Sequence, residues 1–320
     1  WLGVDGVTIN NYTFLNNTAF SSGGAIYVRA DSTNCTVYNS HFEDNYVTNK
    51  TNGASGFEWM WNETISMEFA IEQYLDEYGN RSMINKTIMY ESRTVFYYEY
   101  GDTEYVENFA VGGAVNILAS NATIEDTEFI RNDARLGGAI FVGATSGHTI
   151  INRSSFGENE AFERGGAVNL HASGVHIDDS RFYDNLAING SALYVGGAGT
   201  ENKVHTSVFE GNNATGYGGG IYWVAYAGEI IDTNFTRNSA MYGGGIYLNG
   251  RSGNTNLTNV VFKSNNATKN GGAMECNATN VGIYYLLFED NYAGEYGAAL
   301  CRESGATSGH GHHNVFNYNH

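Results

Sequence analysis

Residues 235–248 read FTRNSAMYGGGIYL. Three marks in this stretch recur: a Phe with an Asn three residues later, an Ala two residues after the Asn, and glycines leading an alternating apolar tail. The pairs are Phe14/Asn17, Phe42/Asn45, Phe129/Asn132, Phe156/Asn159, Phe182/Asn185, Phe209/Asn212, Phe235/Asn238, Phe262/Asn265, Phe288/Asn291 and Phe316/Asn319. From Phe129 the spacings are 27, 26, 27, 26, 27, 26 and 28 residues, and Phe14 to Phe42 is 28. Only the 87-residue step from Phe42 to Phe129 breaks the period, and it equals one repeat of 27 plus 60 extra residues.

The rest of each repeat is equally regular. Ala19, Ala134, Ala161, Ala187, Ala214, Ala240, Ala267 and Ala293 share the Ala register, with Val47 as the exception. GGAIYV at 23–28, GGAVNI at 112–117, GGAIFV at 137–142 and GGGIYL at 243–248 share the tail. An aliphatic residue stands five before each Phe from Phe14 to Phe288, as Ile9, Ile124, Ile177 and Leu257 do. Short runs alternating at period two, bounded by Gly, Asn, Ser and Thr, read as strands. Three such strands in about 27 residues cannot enclose a core, but stacked repeats can, each strand pairing with its equivalent in the next coil. The expected fold is all-β: a right-handed, single-stranded parallel β-helix of about ten coils. It comprises 1–47 and 110–320, with 48–109 as an insertion subdomain.

Parity assigns the faces. The aliphatic and Phe columns point inward. The fifth position of the glycine-led tail, Tyr194, Tyr222 and Tyr247 among others, points outward. The Asn column is expected at a turn in left-handed backbone, its amides bridging successive coils as a structural ladder.

This accounts for a composition of 41 Gly and no Pro. Paired glycines turn the chain into each tail strand, and proline would remove a ladder hydrogen bond from almost any strand of a solenoid. The net charge of −18 argues against nucleic-acid partners. No apolar run approaches the ~18 residues of a membrane helix, so no membrane insertion is expected within the chain. Cys35, Cys276 and Cys301 form no disulfide framework. Parity turns Cys276 inward and Cys301 outward, so their side chains diverge.

GGA[I/V/L] paired with FxxN resembles the repeats of polymorphic outer membrane proteins. The Asn- and Tyr-rich, acidic character resembles most the adhesin-like surface proteins of methanogenic archaea. The resemblance implies a right-handed β-helix displayed at a cell surface, and carries little about function.

Fifteen N-x-S/T sequons point to an extracellular, N-glycosylated chain. They begin at Asn11, Asn16, Asn34, Asn49, Asn62, Asn80, Asn85, Asn121, Asn152, Asn189, Asn213, Asn234, Asn256, Asn266 and Asn277. None falls on the ladder Asn. The insertion reads as a helix over 64–79 and a hairpin over 87–109 turning near Gly101-Asp102. Its Trp59, Trp61, Tyr97, Tyr98 and Tyr100 are candidates for recognition, since aromatics stack on sugars or anchor partners.

Asp126, Arg153 and Asp179 fall in one register on successive repeats, an acid–base–acid stack. No second registered carboxylate pair of the kind a glycosidase uses accompanies Asp179. GHGHH at 309–313 places His310 and His312 on one face of any strand, but reads best as a terminal polar turn. No catalytic, cofactor or metal site is expected. Neither end of the chain shows a capping helix, which fits a piece of a longer protein or subunits stacked head to tail. The expected function is a non-enzymatic adhesin or structural spacer. The alternatives are a subunit of a self-assembling extracellular filament or sheath and, less favoured, a polysaccharide lyase or hydrolase. Expected partners are copies of the chain or flanking β-helix segments end to end, and glycans or proteins of a host or neighbouring cell.

Overall fold

A computed structural model describes residues 5–48, 110–196, 199–303, 306 and 309–320. The insertion helix and hairpin, Trp59, Trp61, Tyr97, Tyr98, Tyr100, Asn49, Asn62, Asn80 and Asn85 lie outside the described residues. By compactness the chain divides into Trp1–Thr48 with Val111–His320, and Asn49–Ala110.

The described residues form an all-β parallel solenoid. Its strands make four sheets: the first from Thr8–Asn10 to His310–His312, the second from Thr13–Leu15 to Val315–Asn317, the third from Thr18–Ala19 to Tyr292–Ala293, and the fourth from Ile26–Val28 to Leu300–Arg302. The first two have ten strands and the others nine, giving nine full turns and half of a tenth. Each turn therefore holds four strands, not the expected three. The strand missed in the sequence is the third, exemplified by Asn213–Tyr217. Its inward residue is the column Ala, too small to mark a strand by hydrophobicity. Among the described residues no helix is long and apolar enough to cross a membrane.

Register follows the repeat. Phe42 lies opposite Phe129, and Ile26–Val28 pairs with Val115–Ile117. The 60 extra residues thus fall in sequence between the third and fourth strands of one turn, and both of those strands keep the register of the stack.

Two columns fill the interior. Phenylalanine rings stack face to face from Phe14 to Phe316; Phe156 and Phe182 lie 4.7 Å apart and 5° from parallel. From Phe42 to Phe288 these rings are fully buried, each worth roughly 1.5–3 kcal/mol of transfer energy. Beside them runs the asparagine ladder of Asn17, Asn45, Asn132, Asn159, Asn185, Asn212, Asn238, Asn265, Asn291 and Asn319. Asn212 Nδ2 donates to Asn238 Oδ1 at 2.9 Å and to the Phe182 carbonyl at 3.0 Å, and its main-chain N–H donates to the same Asn238 oxygen at 3.0 Å.

The bridging matches expectation but the backbone does not. The ladder asparagines are not left-handed; the residue before each is, as at Arg131 (φ 53°) and Asp184 (φ 54°). That residue turns the corner, leaving the Asn amide aimed inward. The glycine pair divides its labour. Gly243 takes φ +66°, while Gly244 lies so close to the next turn that a Cβ would sit 2.2 Å from the Gly272 carbonyl oxygen.

Candidate functional site

Each corner between the first and second sheets follows one local plan. A left-handed residue, such as Asp126 (φ 50°), Arg153 (φ 47°) or Asp179 (φ 49°), makes the bend. The next residue is a small hydroxyl turned inward: Ser40, Thr127, Ser154, Ser180, Ser207 or Thr233. Ser180 Oγ donates to the Asp178 carbonyl at 2.8 Å and accepts from the Ser154 N–H at 3.2 Å. This second ladder was not singled out in the sequence, although its residues stand two before six of the Phe; Tyr12, Val260, Leu286 and Asn314 occupy the column elsewhere.

Outside this corner lies an open groove of about 700 Å³. Tyr12, His41, Asp126, Glu128, Arg153, Asp179 and Arg181 supply its chemistry. His41, Glu128 and Arg181 share an outward register through the chain of pairings with Ser155. No residue type recurs among them, so only the alignment of columns, one residue before each Phe, could have revealed the face.

Arginine dominates the electrostatics. Arg153 Nε and Nη2 grip the Asp126 carboxylate at 2.8 and 2.9 Å, and Nη2 also meets Glu125. Hydrogen bonding to Arg153 holds the Asp126 carboxyl below its ordinary range. Arg131 likewise bridges Asp44 at 2.9 Å and Glu43, and Glu43 is held ionised first by its bond from His41 and then by Arg131. Arg181 reaches Glu210 at 2.7 Å and lies over the Tyr183 ring. The acid–base–acid stack is therefore corrected. Arg153 pairs with Asp126 and Glu125, whereas Asp179 is exposed and has no ion pair among the described residues. Asp178, its neighbour, lies 3.6 Å from His205 Nδ1.

The other candidates fall elsewhere. Tyr194, Tyr222 and Tyr247 point outward as parity requires, but Tyr194 and Tyr247 are 8% and 7% exposed. The ends of third-strand segments lie over them: Arg164 sits over the Tyr194 ring, and Tyr217 stacks 5.6 Å from Tyr222 and 4.7 Å from Tyr247. Tyr194 and Tyr247 thus lie in a covered layer. His310–His312 is a strand rather than a turn. His310 and His312 flank Tyr284 at 5.7 and 5.0 Å, and His312 Nδ1 lies 2.8 Å from His313 Nδ1. Cys301 sits opposite Glu275 while Cys276, opposite Arg302, is buried on the inner face. The eleven sequon asparagines among the described residues are all exposed or half-exposed.

Comparison with known proteins gives three likenesses. A stretch of 185 residues, 57% of the chain, is 32% identical to the metabotropic glutamate receptor-like protein R of Dictyostelium discoideum. The chain spans about a tenth of that relative's length. PfbA, a surface adhesin of Streptococcus pneumoniae, aligns with 95% of this chain and 83% of its own at a TM-score of 0.30 and 11% identity. The Chlamydia polymorphic membrane protein repeat matches residues 11–29 and 206–222. Those two stretches carry Phe14/Asn17 with GGAIYV and Phe209/Asn212 with GGGIY, so the repeat from which this solenoid is built resembles that of the Chlamydia polymorphic membrane proteins.

Proposed function

We propose that this chain is a non-enzymatic, cell-surface β-solenoid that acts as an adhesin, with the corner groove as its recognition face. Within the groove, one observation favours binding over catalysis: Arg153 grips the Asp126 carboxylate and holds it ionised. A glycosidase needs one carboxyl whose pKa is raised so that it can donate a proton, and hydrogen bonding to arginine pushes the other way. The groove instead presents planar donors, acceptors and the Tyr12 ring, chemistry suited to neighbouring-cell glycans or a polar protein surface. N-glycosylation belongs to this reading, and the surface position of the described sequon asparagines supports it.

Binding of the purified chain to an immobilised glycan panel tests the proposal. Tyr12→Ala and Arg181→Ala should each weaken binding without changing the far-ultraviolet circular dichroism spectrum. Polysaccharide cleavage that disappears in Asp179→Ala would overturn the non-enzymatic reading. Mass spectrometry of native material finding every sequon bare would remove the glycoprotein part.

A further inference from the structure

The outer face of the fourth sheet holds, on its last two strands, a set of side chains that the groove does not use. Glu275 of Met274–Cys276 lies opposite Cys301 of Leu300–Arg302, and Glu303 follows two residues after Cys301 on the same side. One carboxylate oxygen from each glutamate and Cys301 Sγ lie within 4.8 Å of one another. Every one of these atoms is an acceptor or an anion when ionised. Among the described residues neither glutamate has an ion pair. Arg302, between Cys301 and Glu303 in sequence, is turned to the other face: its Nη1 lies 3.9 Å from Cys276 Sγ and its Nη2 donates to the Ala306 carbonyl at 2.8 Å.

Burial gives a second, separate sign. Glu275 is 2% exposed, and its Oε1 has no hydrogen-bond partner. The Asn270 amide lies against Glu275, and its Oδ1 is buried without a partner too. A buried carboxyl oxygen left without a hydrogen-bond partner is costly in a protein interior. The Glu275 carboxyl, a second carboxyl and a thiol come together here, and a cation among them would satisfy the orphaned Glu275 oxygen.

We propose that Glu275, Cys301 and Glu303 bind one divalent transition ion of zinc's class. The ligand set selects the metal. Calcium takes about six to eight oxygens, whereas a thiolate is soft and suits zinc or its neighbours. Zinc binds thiolate sulfur at about 2.3 Å and carboxylate oxygen at about 2.0–2.2 Å. A tetrahedron of those bonds has edges of about 3.4–3.6 Å, so side-chain rotations of about 1 Å close the site. Three protein ligands leave a fourth position for water or for the Asn270 oxygen. The ion would clip the last strand of the fourth sheet to its neighbour.

The test uses the whole chain, stripped of metal with a chelator and then titrated with Zn²⁺ and, separately, Co²⁺. The expected result is one equivalent of Zn²⁺ bound, with a near-ultraviolet thiolate-to-metal band in the Co²⁺ form. Cys301→Ser should abolish the band, and Glu275→Gln should weaken Zn²⁺ binding at least ~10-fold. The combined variant His310→Ala, His312→Ala, His313→Ala should keep both signals, which separates this site from the histidine-rich strand. Should a site variant not fold, the wild-type chain still decides the matter: Zn²⁺ should protect Cys301 from alkylation, located by peptide mass spectrometry. No bound Zn²⁺ in a folded chain, a thiolate band that survives Cys301→Ser, loss of the band in the histidine variant, or unprotected Cys301 would each overturn the proposal.

Discussion

Asn159 donates twice to a single atom: its main-chain N–H and its side-chain Nδ2 both reach Oδ1 of Asn185, at 2.9 and 3.0 Å. Asn185 Nδ2 also donates to the Phe156 carbonyl at 3.0 Å. One side chain therefore satisfies two buried donors of the preceding turn and one buried acceptor. Asn185→Ala strands all three at once. Each orphaned group costs about 1–3 kcal/mol, so a loss of about 3–5 kcal/mol is expected by urea denaturation. Asn17→Ala, at a half-buried end of the ladder, should lose much less. Equal losses at both positions would mean that buried hydrogen-bond satisfaction is not what the ladder supplies.

Gly244 tests the tightness of the stack in another way. A Cβ there would lie 2.2 Å from the Gly272 carbonyl oxygen and 2.5 Å from that of Asn266. Both obstacles are backbone, so no rotamer change relieves them. Gly244→Ala should cost about 3 kcal/mol or more. Gly250 offers the control, because its added Cβ meets only the Asn277 oxygen at 3.6 Å. Gly250→Ala should stay within about 0.5 kcal/mol of wild type. A thermal melt of the two variants distinguishes a close-packed column from glycine retained for turning alone.

The sequence displays the interior because interior columns repeat one residue type: every Phe faces another Phe, so the register could be counted. The third strand escaped because its marker is Ala, and what that strand covers escaped with it. For Tyr194 and Tyr247 parity gives the outward direction without giving the cover. Their cover is Arg164 and Tyr217, at the ends of strands that had not been recognised. The groove was illegible for the opposite reason. His41, Glu128 and Arg181 share a face but no chemistry, and outward positions are free to vary. Asp126 and Arg153 were legible as a pair in register. Their true partner Glu125 was not, because it sits one residue off the column.

The hydroxyl ladder should matter less than the asparagine ladder. Ser180→Ala removes one acceptor from the Ser154 N–H and one donor from the Asp178 carbonyl. The chain already carries Val260 and Leu286 in this column, both buried, so the turn closes without a hydroxyl. A loss of about 1 kcal/mol is expected, well short of Asn185→Ala measured under the same conditions. A Ser180→Ala cost as large as that of Asn185→Ala would show that the two columns bear equal weight.

His171 gives the pH dependence a sign. Its ring lies between Phe141 and Tyr194, at 5.3 and 6.2 Å, and both ring nitrogens are buried without partners. Burial, and secondarily the Arg164 charge, push its pKa down to about 4 from 6.5. The folded chain therefore resists a proton that the unfolded chain accepts. The stability of the neutral imidazole is present above about 6.5 and is lost as pH falls toward 4. Between pH 7 and 4.5 that loss is about 2–3 kcal/mol. His171→Phe keeps a ring in the same layer and removes the proton site. Urea denaturation at the two pH values should show the wild type losing about 2–3 kcal/mol more than the variant. Asp126 and Glu43, whose ion pairs also fail in acid, are present in both proteins and cancel in the comparison. Identical acid losses in the two would mean that His171 is already solvated in the folded chain.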